Sequence, residues 1–164
     1  MQAFCQRSCR QLLNDAAKIM RVIRFASVLI FCLSCNVPLR VGEVARVASP
    51  SGRIDAIVIE ANTGPKASSS YDVFLVPSGQ DHNQGIHIAS LYAASRSRTA
   101  FGVNLKWSGP GELAIEFLEA SAAEIMKQTA SVEGEQVQVR LRAGVEDATA
   151  EPGGMLDNIK KRSK

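Results

Sequence analysis

The fold class is decided by residues 103–117, which read Val-Asn-Leu-Lys-Trp-Ser-Gly-Pro-Gly-Glu-Leu-Ala-Ile-Glu-Phe. In the first five, Val103, Leu105 and Trp107 alternate with polar side chains, which is the period of a strand with one buried face. The last five residues repeat the alternation, and the Ser-Gly-Pro-Gly segment between them has the composition of a tight turn. The stretch therefore predicts an antiparallel hairpin.

Further strand patterns lie on both sides of this hairpin. Residues 137–142 alternate in the same way, whereas residues 53–60 and 71–76 are apolar on both faces, as in a central strand. Residues 86–93 and 43–48 are additional predicted strands. We therefore predict a mainly β fold, an antiparallel sheet or sandwich of six to seven strands with one short helix, with an α+β fold as the alternative.

The short helix is predicted over residues 119–130, which are rich in Ala, Glu, Met, Lys and Gln. An irregular crossover is the alternative for this segment. The domain organisation that follows is a leader over residues 1–35, a β-rich globular domain over residues 36–143 and a polar C-terminal tail over residues 144–164. The tail is predicted to be loop or disordered chain, although Met155, Leu156 and Ile159 could dock on the domain.

The N-terminal segment differs from the rest of the chain in charge and hydropathy. Residues 1–34 hold five of the 19 basic residues and one of the 16 acidic residues. From Met20 a short basic segment is followed by ten largely apolar residues, 25–34, and then by Cys35. This order is typical of a secretory signal peptide, and the apolar run is shorter than the roughly 20 residues of a membrane-spanning helix. We predict an export leader, with an uncleaved single membrane anchor as the alternative and either Met1 or Met20 as the start.

The rest of the chain has a composition that argues against several classes of protein. It carries 14 basic and 15 acidic residues, and no cysteine follows Cys35. A disulfide scaffold and a cysteine-ligated zinc site both need thiols that this part of the chain lacks. A nucleic-acid partner is not predicted, because such proteins concentrate Lys and Arg on one face.

The segment Leu33-Ser-Cys35 resembles the lipobox of bacterial lipoproteins, in which the cysteine after the cleavage site receives a lipid. Ser34 matches the small residue before the cysteine, whereas Cys32 and Leu33 depart from the usual pattern. The resemblance implies lipidation at Cys35 and a location in the periplasm or anchored at the cell envelope.

A wider resemblance covers residues 44–160. Its matching pieces are Ser49-Pro-Ser-Gly-Arg-Ile-Asp-Ala-Ile-Val-Ile-Glu60, Tyr71-Asp-Val-Phe-Leu-Val-Pro77, residues 92–98 and 102–107, and residues 144–155 with their Pro-Gly-Gly-Met. Together they resemble a group of small, uncharacterised bacterial envelope proteins of the lipoprotein type. This resemblance implies a compact exported domain and no assigned activity.

The stretch Asp81-His-Asn-Gln-Gly-Ile-His87 is the candidate metal site, because imidazole and carboxylate groups bind zinc and nickel. Its candidate ligands are Asp81, His82 and His87. The spacing matches no helical ligand motif, and a solvated loop tip explains the same residues. Either histidine could also serve a distant serine with Asp72 or Asp147, an arrangement that only geometry can identify.

The candidate binding site for an anionic ligand contains Arg96, Arg98, Tyr92 and Trp107. Arg96 and Arg98 share one face of an extended segment, and a guanidinium offers a planar fork of donors to an anion. The alternative is an exposed strand end that these arginines keep soluble.

The function predicted from the sequence is that of an exported envelope protein, acting by binding or as a structural accessory rather than by catalysis. Its predicted partners are an unidentified envelope component and the membrane, reached through the leader or a lipid anchor, and no cofactor is predicted. The alternative is a small metal-dependent hydrolase that uses His82 and His87.

Overall fold

The computed structural model describes residues 39–64 and 67–162. They form nine strands, one turn of 3-10 helix (His82–Gln84) and one α-helix, α1 (Met155–Arg162). The strands are β1 (Arg40–Ala48), β2 (Ile54–Asn62), β3 (Ser70–Pro77), β4 (Ile86–Tyr92), β5 (Asn104–Gly109), β6 (Glu112–Glu116), β7 (Ala122–Ile125), β8 (Thr129–Val132) and β9 (Glu135–Arg142). Within the described residues, no helix has the length and hydropathy that a membrane crossing requires.

The strands form two sheets that enclose one hydrophobic core. Sheet A contains five antiparallel strands in the order β1-β2-β3-β4-β7, and sheet B contains four strands in the order β5-β6-β9-β8. Apolar side chains from both sheets belong to the same buried cluster, so the sheets pack face to face as a sandwich. The prediction of a mainly β fold with one short helix is confirmed, and the α+β alternative does not apply to the described residues.

The residues that decided the fold class form the predicted hairpin. β5 and β6 pair antiparallel, with Leu105 opposite Ile115 and Trp107 opposite Leu113. β2 is central, between β1 and β3, and its segment from Ile54 to Glu60 is buried on both faces, as its continuous apolar run predicts.

The helix predicted over residues 119–130 is wrong. This segment contains β7, which pairs with β4, and the start of β8, which pairs with β9. In β8 the side chains of Ala130 and Val132 are buried and those of Thr129 and Ser131 are exposed, a period of two that the helix-forming composition conceals. Helix propensities differ by only about 0.5 kcal/mol per residue. Pairing with neighbouring strands outweighs a preference of this size. The predicted strand number was too low for this reason.

The short helix lies instead in the C-terminal segment, where loop or disordered chain was predicted. α1 begins at Met155, and Met155 and Leu156 are buried in the core between the sheets. Ile159 packs against the same core, so the predicted docking of these three residues is confirmed. A Cβ atom on Gly42 of β1 would lie 2.7 Å from Leu156 Cδ1, and glycine at this position therefore lets the helix approach the sheet.

The end of the sandwich remote from α1 is braced by a buried carboxylate. Asp55, 4% exposed, accepts hydrogen bonds from Arg46 Nη1 at 2.8 Å and from the Gly79 N–H at 2.9 Å. It thereby joins β1, β2 and the turn after β3. Burial opposes ionisation of this carboxyl, but the hydrogen bonds from Gly79 and Arg46 outweigh it and hold the pKa of Asp55 below its ordinary value of 3.8.

Because the pKa of Asp55 is lowered in the folded state, the free energy of unfolding depends on pH below about pH 5. The contribution of Asp55 is fully present above the unfolded-state pKa of about 4 and is lost as the pH falls through the lower folded-state pKa. We expect Asp55→Asn to lose less free energy of unfolding than the wild type between about pH 6 and pH 2.5 in urea titrations. Asp81→Asn, at an exposed carboxylate, is the control, and equal losses in Asp55→Asn and the wild type would contradict the prediction.

Candidate functional site

The end of the sandwich that carries α1 contains a buried polar cluster around Glu60. Glu60 is 0% exposed, and its Oε1 accepts hydrogen bonds from Asn62 Nδ2 at 2.7 Å, Ser69 Oγ at 2.8 Å and Arg96 Nη1 at 3.1 Å. Its Oε2 accepts the backbone N–H of Leu156 at 2.9 Å. We call these five residues the Glu60 cluster. A buried carboxylate is tolerated when it is paired and hydrogen-bonded on both oxygens, as it is here.

The local sequence explains why the cluster closes. Glu60 lies opposite Gly42 on β1 and Tyr71 on β3, on the face of sheet A that receives α1. A Cβ atom on Gly154 would lie 3.0 Å from Arg96 Nη1, so the glycine leaves room for the guanidinium. The Glu60 carboxylate also accepts a hydrogen bond from the first turn of α1, where negative charge is favoured. The sequence signal for this cluster is Glu60 itself, an acidic residue directly after the apolar run of residues 56–59.

Tyr71 lies beside the Glu60 cluster with its hydroxyl buried. The side chain is 0% exposed, and the hydroxyl has no well-aligned hydrogen-bond partner, although the side chains of Ser69 and Arg96 lie close to it. Burial, reinforced by the negative charge of Glu60, raises the pKa of Tyr71 to about 12, although Arg96 and Ser69 lie close enough to oppose the shift. The hydroxyl faces Gly102, whose φ of +92° and missing Cβ give it space. Tyr71 is therefore protonated at neutral pH.

Among the four residues of the predicted anion site, Trp107 lies apart from Arg96. Arg96 turns inward to Glu60, and its side chain is only 17% exposed, whereas Arg98 and Tyr92 are exposed. Trp107 donates its indole N–H to the carbonyl of Val47 at 3.1 Å. Since Val47 pairs with Ala56, four residues from Glu60 along β2, Trp107 lies about 13 Å along the strand from Arg96.

The two histidines of the predicted metal site lie beside the ring of Phe74 on β3. The His87 ring stacks on this ring with centroids 4.8 Å apart, and the His82 ring meets it edge-on at 5.6 Å. Asp81 accepts the Asn83 N–H at the start of the 3-10 turn and contacts His82 Nδ1 at 2.5 Å. The described part of the chain contains no group of three or more His, Cys, Asp or Glu side chains placed to hold a metal ion. The metal site and the hydrolase alternative therefore stay predictions from the sequence.

His87 also meets a serine and a carboxylate, in an arrangement that the sequence did not predict in full. Ser90 Oγ donates to Asp72 Oδ1 at 2.6 Å, and His87 Nε2 lies 3.0 Å from Ser90 Oγ and 3.3 Å from Asp72 Oδ1. The same nitrogen is 3.0 Å from the carbonyl oxygen of Ala89. The register shift between β3 and β4 at Val73 and Phe74 brings these side chains together.

The hydrogen-bonding roles of His87, Ser90 and Asp72 follow from which of their atoms can donate a proton. A carbonyl oxygen only accepts, so a hydrogen bond to Ala89 requires the tautomer with a proton on His87 Nε2. The hydroxyl proton of Ser90 is directed to Asp72. In a Ser-His-Asp triad, by contrast, the serine hydroxyl donates to a free imidazole nitrogen and the carboxylate binds the other one. The arrangement therefore gives Ser90 no base in this state.

A cleft of about 340 Å³ opens beside sheet B at the α1 end. The ion pair of Arg142 and Glu116, 2.8 Å long, forms part of its wall, together with Lys106 and Phe101. Asp147 closes one side, and hydrogen bonds from the Thr149 hydroxyl and N–H hold the pKa of Asp147 below its usual value. The cleft therefore presents charges of both signs at neutral pH.

Comparison with known proteins adds no functional assignment to this geometry. The resemblance to envelope proteins rests on the turns and strands quoted above, and the leader and Cys35 lie outside the described residues. No family model, no curated protein and no solved structure matches the chain.

Proposed function

We propose that this chain is an exported protein of the cell envelope, held at the membrane by its leader or by a lipid on Cys35, and that its sandwich acts as a binding or structural accessory module. The observation that carries the proposal is the position of the first strand. β1 begins at Arg40, five residues after Cys35, so cleavage before Cys35 leaves every described strand and α1 in the mature chain. The basic and then apolar leader accounts for residues 20–34.

The short connection also fixes how far the sandwich can lie from its anchor. Five fully extended residues span at most about 18 Å, so a lipid on Cys35 would keep the start of β1 within that distance of the membrane.

The accessory role is supported by the way the polar side chains are used. The Glu60 cluster fixes α1 to sheet A, and Asp55 with Arg46 braces the opposite turns. The Ser90 hydroxyl is engaged by Asp72. These groups stabilise the sandwich and leave its loops and sheet faces as the surfaces that could meet a partner.

The proposal is tested by the intact mass and the N-terminal residue of the protein recovered from the membranes of its host. We expect a chain that begins at Cys35 and carries added acyl mass. Cys35→Ser should lose the acyl mass while its thermal unfolding midpoint stays unchanged, and Cys32→Ser is the matched control that should keep it. An unprocessed chain in the soluble fraction would contradict export, and an unprocessed chain in the membrane fraction would identify the apolar run as a single anchor.

A further inference from the structure

The outer face of sheet B forms one side of the cleft described above. The register places Asn104, Glu116 and Arg142 in one row across β5, β6 and β9. Leu105 lies in the core, so its neighbours on β5, Asn104 and Lys106, point to the opposite face of the sheet. Polar and charged side chains from three strands therefore line this side of the cleft.

The segment that follows β9 forms a second side of the cleft. The N–H of Val145 bonds the carbonyl of Phe117 at 3.1 Å, and the N–H of Asp147 bonds the carbonyl of Thr99 at 2.9 Å. Glu146 lies between these two anchored residues and is exposed. Because the backbone is held before and after Glu146, this side of the cleft is formed before a ligand arrives, which lowers the entropic cost of binding.

Several charged groups of the cleft have no partner in the part of the chain that the structure describes. There the ammonium group of Lys106 and the carboxylate of Glu146 make no hydrogen bond or ion pair. The side chain of Glu116 is only 7% exposed, and its Oε1 accepts Arg142 Nη1 at 2.8 Å. No described group bonds its Oε2. A buried carboxylate oxygen and two unpaired charges are therefore available to a ligand.

The balance of charge indicates the class of ligand. The lining carries two cations, Lys106 and Arg142, and three carboxylates, Glu116, Glu146 and Asp147. An exclusively anionic molecule would lie among three like charges, and an exclusively cationic one would lie beside two. A molecule that carries both an anionic and a cationic group can place each of them against the opposite charge.

The spacing of the charges narrows this class. Arg142 Nη1 and Glu116 Oε1 are 2.8 Å apart, so opposite charges lie side by side in the lining. The ammonium and carboxylate groups of an α-amino acid are also neighbours, since a single carbon atom joins them. The carboxylate can accept from the other N–H groups of Arg142, whose side chain is 57% exposed, and the ammonium group can donate to Glu116 Oε2.

The size and the apolar part of the cleft agree with such a ligand. A volume of about 340 Å³ is that of roughly ten water molecules at about 30 Å³ each, which gives room for about ten non-hydrogen atoms. Phe101, Leu118 and Val145 are partly exposed in the lining and offer apolar contact. An amino acid with an apolar side chain would bury it against these three residues.

We propose that the cleft binds a free α-amino acid with an apolar side chain. The ligand carboxylate bonds Arg142 and Lys106, and the ligand ammonium group bonds Glu116 and Glu146. The inference rests on the proposed function only in taking the sandwich as a binding module, and the location of the chain does not enter it.

The test titrates the isotope-labelled full chain, in nonionic detergent, with three probes that share one apolar group. L-Leucine carries both charges, isocaproate lacks the ammonium group and isoamylamine lacks the carboxylate. The backbone amide chemical shifts of residues 102–106 and 142–147 report binding at the cleft and give each Kd. We expect L-leucine to bind about tenfold more tightly than either analogue, because each analogue loses the hydrogen bonds of one charged group.

Two variants assign the charges of the ligand to the two sides of the cleft. Lys106→Gln should weaken the binding of L-leucine and isocaproate about threefold to fivefold, as expected for an exposed charge, and leave isoamylamine unchanged. Glu146→Gln should weaken L-leucine and isoamylamine by a similar factor and leave isocaproate unchanged. Lys127→Gln and Glu124→Gln are the matched controls, since both side chains are exposed at the β7 edge of sheet A, and neither should alter any Kd.

The inference would be overturned if isocaproate or isoamylamine bound as tightly as L-leucine, because one charge would then suffice. Cleft signals that no probe moves at millimolar concentration, or a Kd for L-leucine that neither cleft variant changes, would overturn it as well. An acylated mature chain with such a result leaves the envelope location standing. An unprocessed soluble chain that binds L-leucine would contradict that location alone.

Discussion

Glu60→Ala is expected to lower the free energy of unfolding by about 3–5 kcal/mol, which is the cost of breaking a buried ion pair from one side. The substitution leaves the inward-facing Arg96 guanidinium without its carboxylate and the Leu156 N–H without its acceptor. It also removes the group that fixes α1 to sheet A. Urea unfolding followed by circular dichroism measures the change.

Two further variants show whether the loss belongs to the buried charge. Glu43→Ala removes a half-exposed partner of Arg46 and should cost about 0–1 kcal/mol. The double change Glu60→Gln with Arg96→Met should recover part of the loss, since it leaves no unpaired charge in the interior. A single Glu60→Ala variant as stable as Glu43→Ala would show that water reaches the cluster and replaces the carboxylate.

Tyr71→Phe is expected to raise the free energy of unfolding by about 1 kcal/mol, because it removes a hydroxyl that is buried without a well-aligned hydrogen-bond partner. Tyr71→Ala, which removes the ring as well, should lower it by about 3–5 kcal/mol through the cavity that it leaves. The opposite signs at one position separate the contribution of the hydroxyl from that of the ring.

Tyr92→Phe is the matched control, since it deletes the same hydroxyl from an exposed ring and should change stability by less than about 0.5 kcal/mol. Thermal unfolding of the three variants beside the wild type gives the comparison. A Tyr71→Phe variant less stable than the wild type would mean that the hydroxyl is hydrogen-bonded in solution.

The parts of the fold that could be predicted are those in which the residues alternate with the period of their own strand or, as in β2, form a continuous apolar run. The hairpin of β5 and β6 has this property, and so does β9. β7 and β8 do not show it clearly, because Ala, Glu, Met and Lys favour a helix when the partner strands are not considered. Their pairing with β4 and β9 depends on contacts that are distant in sequence, and no local pattern encodes such contacts.

The same limit applies to the site. Arg96 could be identified as a residue of interest, but not as the partner of Glu60, 36 positions away. The proximity of His87 to Ser90 and Asp72 depends on one register shift between β3 and β4, which the sequence does not mark.

The hydrogen bond from Leu156 to Glu60 joins residues 96 positions apart, and this separation bears on when the protein can fold. In a chain that crosses a membrane amino end first, Glu60 emerges long before its last donor does. β9, which completes sheet B between β6 and β8, also comes late. Until nearly the whole chain has crossed, the early strands lack the donors that stabilise a buried carboxylate. Contacts between residues so distant in sequence also form slowly. For the exported chain that we propose, this topology would leave the early strands without their last partners until translocation is almost complete, and the chain would then fold without blocking its own passage.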